Sequence, residues 1–297
     1  MHGEKVLSPH PNIVRYECAL HGLHNVYIIT EGFQGDLFDF LADNAMKINA
    51  NIAAVITRDI LTALAHLAQH QIVHRDLKSE NVLIQLRSNN LIVKLCDFGL
   101  SRHVESHEML NDFCGSPGFY APECVQKRSY DGYYADVFSC GCITLEMLVP
   151  QGFFSNIWLA AYSKHKEHKE LIPFSNASEG NSKAAIPTAA HSIRRSHTQQ
   201  KSHNQKTVKM QPKLPNDNQE KSTEDMNVPL FLDAIRDAIL ASHMEIVLRY
   251  PHVMPLHEFI TRVLHVQPTL RPKVSIIEGI HVFCIYCHCD NISVTKY

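Results

Sequence analysis

The 297 residues are 45 % hydrophobic and 20 % charged, enough apolar material to bury the core of one large domain or two small ones and too much for a wholly disordered chain. A net charge of −2 supplies no general attraction to nucleic acid or anionic membrane, although 20 histidines would turn the balance positive as pH falls toward about 6. The N-terminal residues lack a signal-type apolar core, no run reaches about 18 apolar residues, and nine cysteines lie mostly singly in hydrophobic stretches, so the expected chain has no nucleic-acid or membrane partner and occupies a reducing compartment, the cytoplasm or the nucleus.

In chain order, the β-rich runs 12–19 and 25–31 flank His21-Gly22 and predict a hairpin. Across 52–70, Ile52, Val55, Ile56, Ile60, Leu64 and Leu67 recur every three or four residues, the stripe of an amphipathic helix on a core. Val82-Leu83-Ile84 and Ile92-Val93-Lys94-Leu95 flank the polar turn Ser88-Asn89-Asn90, a second hairpin. Residues 136–149 are almost wholly apolar and predict a buried helix with Asp136 at its N-terminal end. From 163 to 228 Ser, Lys, His, Asn and Gln take over and aromatics nearly vanish, the composition of a disordered insert that cannot offset its ordering entropy. Helical patterns return at 230–241, 256–264 and 273–280.

Two motifs carry chemistry. His74-Arg75-Asp76-Leu77-Lys78-Ser79-Glu80-Asn81 is followed, after the second hairpin, by Asp97-Phe98-Gly99. Six fixed letters of the pattern H-R-D-L-K-x-x-N arise by accident in a chain this long with odds of roughly one in 10⁵, and the second motif at the expected distance removes coincidence. Together they resemble the catalytic and metal-binding loops of the eukaryotic protein kinases.

The resemblance implies an α+β, protein-kinase-like fold: a mostly α-helical large lobe and a truncated, β-containing small lobe. The implied layout is a small-lobe remnant at 1–30, a hinge at 31–36, large lobe at 37–162 and 229–283 around the insert, and a tail at 284–297. It implies phosphoryl transfer from ATP with Mg²⁺ to a protein substrate. Asp76 would accept the proton of the substrate hydroxyl, Lys78 would neutralise charge on the transferred group, and Asn81 and Asp97 would hold the metal through hard oxygen atoms. Thr30 would be the gatekeeper, the backbones of Glu31 and Phe33 would bind adenine, Asp36 the ribose, and Leu83 would lie beneath the ring. Read alone, Asp36 is equally a helix cap.

Lys78 and Ser116, the latter in Cys114-Gly115-Ser116-Pro117-Gly118-Phe119-Tyr120-Ala121-Pro122-Glu123, resemble the serine/threonine branch of the family. Glu123 and Arg271 match its buried ion pair, Asp136 the aspartate that supports the catalytic loop, and His74, Phe98 and Tyr16 its hydrophobic column. Asp112 stands where the activation loop usually carries a phosphorylated Thr, so its carboxylate is expected to pair with Arg75, with a solvated loop aspartate as the alternative; Ser106 is a candidate phosphosite.

The pattern fails at the start. Neither the glycine-rich loop nor the V-A-I-K strand is found, and counting back from His10-Pro11-Asn12-Ile13-Val14 places the helix glutamate at Met1 or before, with Glu4 about one turn late. Either the sequence is a fragment of an active kinase or it is a short protein with crippled ATP binding, whose phosphate transfer alone would be slow. The reading from another functional class is a silent kinase-like module that binds partners. The tail residues His281, Cys284, Cys287, His288 and Cys289 lack a second C-x₂-C, so no metal site is expected there.

Overall fold

Residues Tyr16–His21 (β1) and Val26–Thr30 (β2) pair antiparallel, and the turn is closed by Gly22 N–H donating to Asn25 O at 2.8 Å. The computed structural model describes residues 8–43, 48–87, 90–105, 107–126, 129–164 and 227–273. Most of the insert expected at 163–228, the helix expected at 273–280, the tail, Ser106 and Glu4 lie outside the described residues. Apolar residues of the hairpin face solvent: Leu20, Val26, Tyr27 and Ile28 are all more than half exposed.

Gly35–Asp36 (β3) leads directly into Leu37–Ala42 (α1), where Asp36 accepts from Asp39 N–H at 2.8 Å as the N-cap. The predicted amphipathic helix runs from Ala50 to Gln69 (α2), capped by Asn49, which accepts from Ile52 N–H at 2.9 Å. By length and composition alone it could cross a bilayer. Its apolar face is instead taken up by protein, with Ile52, Ile56, Ile60, Leu64 and Leu67 all buried.

Ile72–Val73 (β4) precedes the first motif, and Val82–Arg87 (β5) and Asn90–Leu95 (β6) form the second predicted hairpin. β5 lies between β3 and β6 in a three-stranded sheet, while β4 pairs with Arg102–His103 (β7). The N-terminal segment is tied to β6 by Val14 N–H to Leu95 O at 2.9 Å and Leu95 N–H to Asn12 O at 2.8 Å.

After the short helix Glu123–Gln126 (α3) comes Gly132–Leu148 (α4), whose Val137, Phe138, Cys140, Cys142, Ile143 and Leu145 are fully buried. Here the sequence reading is corrected. Asp131, not Asp136, caps α4, accepting from Tyr133 N–H at 2.9 Å; Asp136 sits a turn inside and its carboxylate is turned to other work. A single helical segment then changes register: Gln151–Phe153 (α5), a π-helix at Phe154–Leu159, and Ala160–Tyr162 (α6). Asn227–Arg249 (α7) extends well past the predicted 230–241, and Met254–Val263 (α8) packs on α4. Across the centre, Thr57 of α2 and Thr144 of α4 share a hydroxyl–hydroxyl bond of 2.9 Å, which satisfies two polar groups inside the core.

Glu146 of α4 is a liability in that core. One of its carboxylate oxygens, Oε2, is buried with no hydrogen-bond partner, and burial, reinforced by Glu80 against a bond from Ser79, pushes its pKa from 4.5 up to about 8. A raised carboxyl pKa means that the folded chain keeps a proton that the unfolded chain releases. Stability should therefore fall as pH rises from about 4.5 to about 8. Glu146→Gln is expected to flatten that slope and to stabilise the protein at pH 8 by on the order of 2 kcal/mol. Urea midpoints at pH 5 and pH 8 measure this; an unchanged slope in the variant would contradict it.

Candidate active site

The first motif begins where β4 ends. His74 and Arg75 turn sharply, Arg75 at φ +68, a left-handed conformation that costs a non-glycine residue about 1–3 kcal/mol. Asp136 holds the turn from below, its two oxygens accepting from His74 N–H at 2.7 Å and Arg75 N–H at 2.9 Å. Burial raises the Asp136 pKa, while His74 and the two amides oppose the shift. The His74 ring meets Cys96 O through Nε2 at 3.1 Å and lies 5.0 Å from the Phe98 ring. Tyr16 does not join that stack: β1 presents it to solvent, 56 % exposed.

The side chains of the loop converge. Lys78 Nζ lies 3.1 Å from Asp76 Oδ2 and donates to Ser116 Oγ at 3.0 Å, and Ser116 Oγ donates to Asp76 Oδ1 at 2.8 Å. Asn81 Nδ2 donates to Asp76 O at 2.7 Å, which turns the amide oxygen of Asn81 the other way. Asp97 stands exposed at the start of the second motif at φ +59, with Oδ1 accepting from Gly99 N–H at 3.2 Å. Its neighbour Cys96 donates its N–H to Asn81 O at 3.0 Å, so the two loops are bonded backbone to backbone. The Cys96 thiol is pushed up to about 12, chiefly by burial and then by the nearby carboxylates of Asp97 and Asp36, with Lys78 opposing them.

The residues expected to bind nucleotide are divided between two sheets, Thr30 in the β1–β2 pair and Asp36 and Leu83 in the β3–β5–β6 sheet. Asp36 and Leu83 are register partners of β3 and β5. Thr30 closes β2, and its Oγ1 lies 3.3 Å from Glu31 O. The Glu31 carboxylate is gripped by Lys94 of β6 at 2.5 Å and by Arg15 N–H at 2.7 Å, with the Lys94 ammonium 5.9 Å from the centre of the Phe33 ring. Glu31 is accordingly held below the ordinary carboxylate range by these bonds, although burial, the largest single influence, works against them. Lys94 carries no motif letter, and sequence reasoning missed it.

Asp112 does pair with Arg75, Oδ2 to Nη1 at 2.5 Å, and a second cation, Arg102, reaches its other oxygen at 3.3 Å. The hydrogen bond from Arg75 is the main influence that lowers the Asp112 pKa. A lowered carboxylate pKa stabilises above the ordinary range and is lost as pH falls below it, so the ordering of this loop should be flat from neutrality to about pH 5 and fail in acid. With Asp112 49 % exposed, solvent screening leaves the pair under about 1 kcal/mol. Asp112→Ala is expected to raise the rate of proteolytic nicking in this loop by up to about fivefold at pH 7. Unaltered nicking in a timed digest would remove the tether.

Further along, Arg271 and Glu123 meet two bonds to two at 2.5 and 2.8 Å, both side chains buried. Arg271 also donates to Tyr134 O at 3.0 Å and His265 O at 2.7 Å and stacks 4.6 Å from the Phe138 ring centre. Among the described residues no group of three or more His, Cys, Asp or Glu is placed to hold a metal by itself.

A family model described as the protein kinase domain matches residues 3–280. The chain belongs to the protein kinase family. Among kinases it is 36 % identical over 151 residues to CBL-interacting protein kinase 1 of Oryza sativa subsp. japonica, covering 50 % of this chain and 32 % of that one. It is 37 % identical over 138 residues to serine/threonine-protein kinase SIK1 of Mus musculus, covering 46 % and 17 %. SNF1-like protein kinase ssp2 of Schizosaccharomyces pombe is 34 % identical over 143 residues, covering 48 % and 24 %. The alignments thus take in less than a third of each relative's own length. The fold is the mixed α+β arrangement of the family, with a mostly helical large lobe.

Proposed function

We propose that this kinase domain transfers the γ-phosphate of ATP to serine or threonine hydroxyls of a protein substrate. One observation carries the reading: Asp76 and Lys78 together already hold a hydroxyl, that of Ser116, between an accepting carboxylate and a donating ammonium. A substrate hydroxyl entering beside Ser116 would meet the same pair. Asp76 would orient it and take its proton, and Lys78 would offset charge that develops on the group in transfer. The names of the aligned relatives, serine/threonine-protein kinase SIK1 among them, support the choice of substrate class.

The donor set fits magnesium. Asn81 directs its amide oxygen away from Asp76 O, and Asp97 keeps an exposed carboxylate, both hard oxygen donors. Held by Asn81 and Asp97, Mg²⁺ would supply positive charge to offset that of the ATP phosphates. Asp36 and Leu83, paired at the sheet end, would receive the ribose and the underside of the base, with the backbones of Glu31 and Phe33 at its edge and Thr30 behind. Free thiols at Cys96, Cys114, Cys124, Cys140 and Cys142, none paired, support a reducing location such as the cytoplasm.

The test is transfer of radiolabel from γ-labelled ATP in Mg²⁺ to a degenerate peptide mixture centred on serine or threonine. Label on those hydroxyls, lost when Mg²⁺ is chelated, is the expected result. Transfer no faster than that of an Asp76→Asn variant would overturn the reading.

A further inference from the structure

Three consecutive backbone carbonyls just beyond Ser116 are each bonded by a side chain from elsewhere in the fold. Gly118 O accepts from Trp158 Nε1 at 2.8 Å, Phe119 O from Ser139 Oγ at 2.8 Å, and Tyr120 O from Tyr162 Oη at 3.0 Å. Trp158 and Tyr162 are both fully buried. The indole is carried by the π-helix at Phe154–Leu159, a rare register change that is frequent at functional sites. Four-residue spacing from Phe154 through Trp158 to Tyr162 directs all three rings inward.

The contact between this helix and the loop is close. Gly118 has φ +92, and a Cβ placed there would lie 2.2 Å from Leu159 Cδ2. At the other end of the same short segment Gly115 has φ +110 and presses on the catalytic loop, where a Cβ would lie 3.1 Å from Arg75 O. Ser116, between these two glycines, is the residue that meets Asp76 and Lys78. Its place is therefore set from two directions, by the catalytic loop and by the π-helix.

We infer that Trp158 is a positioning residue for the protein-substrate side of the active site, acting through Gly118 on the loop that presents Ser116 to Asp76. The inference rests on the kinase reading for its consequence in turnover, but the tether itself can be tested without it. Trp158→Phe keeps a buried ring and removes the N–H. Amide exchange across Ser116–Ala121 is expected to rise about tenfold in this variant while exchange in α2 is unchanged. With a degenerate serine-centred peptide mixture, the peptide KM should rise about tenfold and the ATP KM should stay the same.

Unchanged exchange at Ser116–Ala121 would overturn the tether, and equal rises in the peptide and ATP KM values would overturn the positioning role in favour of general loosening. A wild-type chain with no transfer at all would sink the kinase reading instead, and the exchange result would still decide the tether. Should Trp158→Phe fail to fold, Tyr162→Phe loses a single hydroxyl and reads the same segment. There, about a threefold rise in exchange is expected, and no rise would count against the clamp.

Discussion

Asp76→Asn is expected to lower kcat by about 10²–10⁴-fold, the usual worth of a positioned general base, with the ATP KM little changed. The substitution is nearly isosteric, and an amide oxygen can still accept from Ser116 Oγ where the carboxylate does at 2.8 Å. It cannot take a proton, and it removes the negative partner 3.1 Å from Lys78. The loop around it is supported separately, by the bonds of Asp136 to His74 and Arg75, so the fold should persist. A melting temperature close to wild type together with the kinetic loss would locate the effect in chemistry. Equal turnover in the two proteins would remove Asp76 from its assigned role. A steep fall in both turnover and melting temperature would make it structural.

Breaking the ion pair of Arg271 and Glu123 is expected to have the largest effect on stability. Both side chains are sequestered, at 0 % and 2 % exposure, so removal of either partner leaves a charge that water cannot reach. Arg271→Ala should cost about 3–5 kcal/mol, a large part of the 5–15 kcal/mol that holds a typical domain together. Arg271→Lys should recover little. A single ammonium cannot replace the two-pronged contact with Glu123, the bonds to Tyr134 O and His265 O and the stack on Phe138. Urea unfolding would measure it. Because the pair is dry, the loss should be nearly independent of salt, unlike the half-exposed Asp112–Arg75 contact. A cost under about 1 kcal/mol would mean that the pair behaves like a surface bridge.

The candidate site was legible in the sequence as a set of motif letters. They single out Asp76, Lys78, Asn81 and Asp97 as candidates, and the fold brings Asp76 and Lys78 together on Ser116. The amphipathic stripe from Ile52 to Leu67 was equally plain, since a helix on a core repeats its apolar face every three or four residues. Asp136 misled as a helix end: its neighbours are all apolar, and only the fold shows that the cap is Asp131 while Asp136 faces the catalytic loop. Tyr16 misled in a similar way. Alternation in a strand assigns a face, but which face is covered depends on what packs against it.

Local chemistry along the chain thus points to the family, the candidate loop and the helices around it. Those properties reside in residue types at short spacing, where covalent geometry and hydrophobic periodicity leave few alternatives. The tertiary structure alone decides partnerships across long separations, Lys94 on Glu31 and Trp158 on Gly118. Each joins residues whose sequence neighbours give no hint of the other, because a hydrogen bond depends on where two atoms arrive in space and not on how the chain reached them.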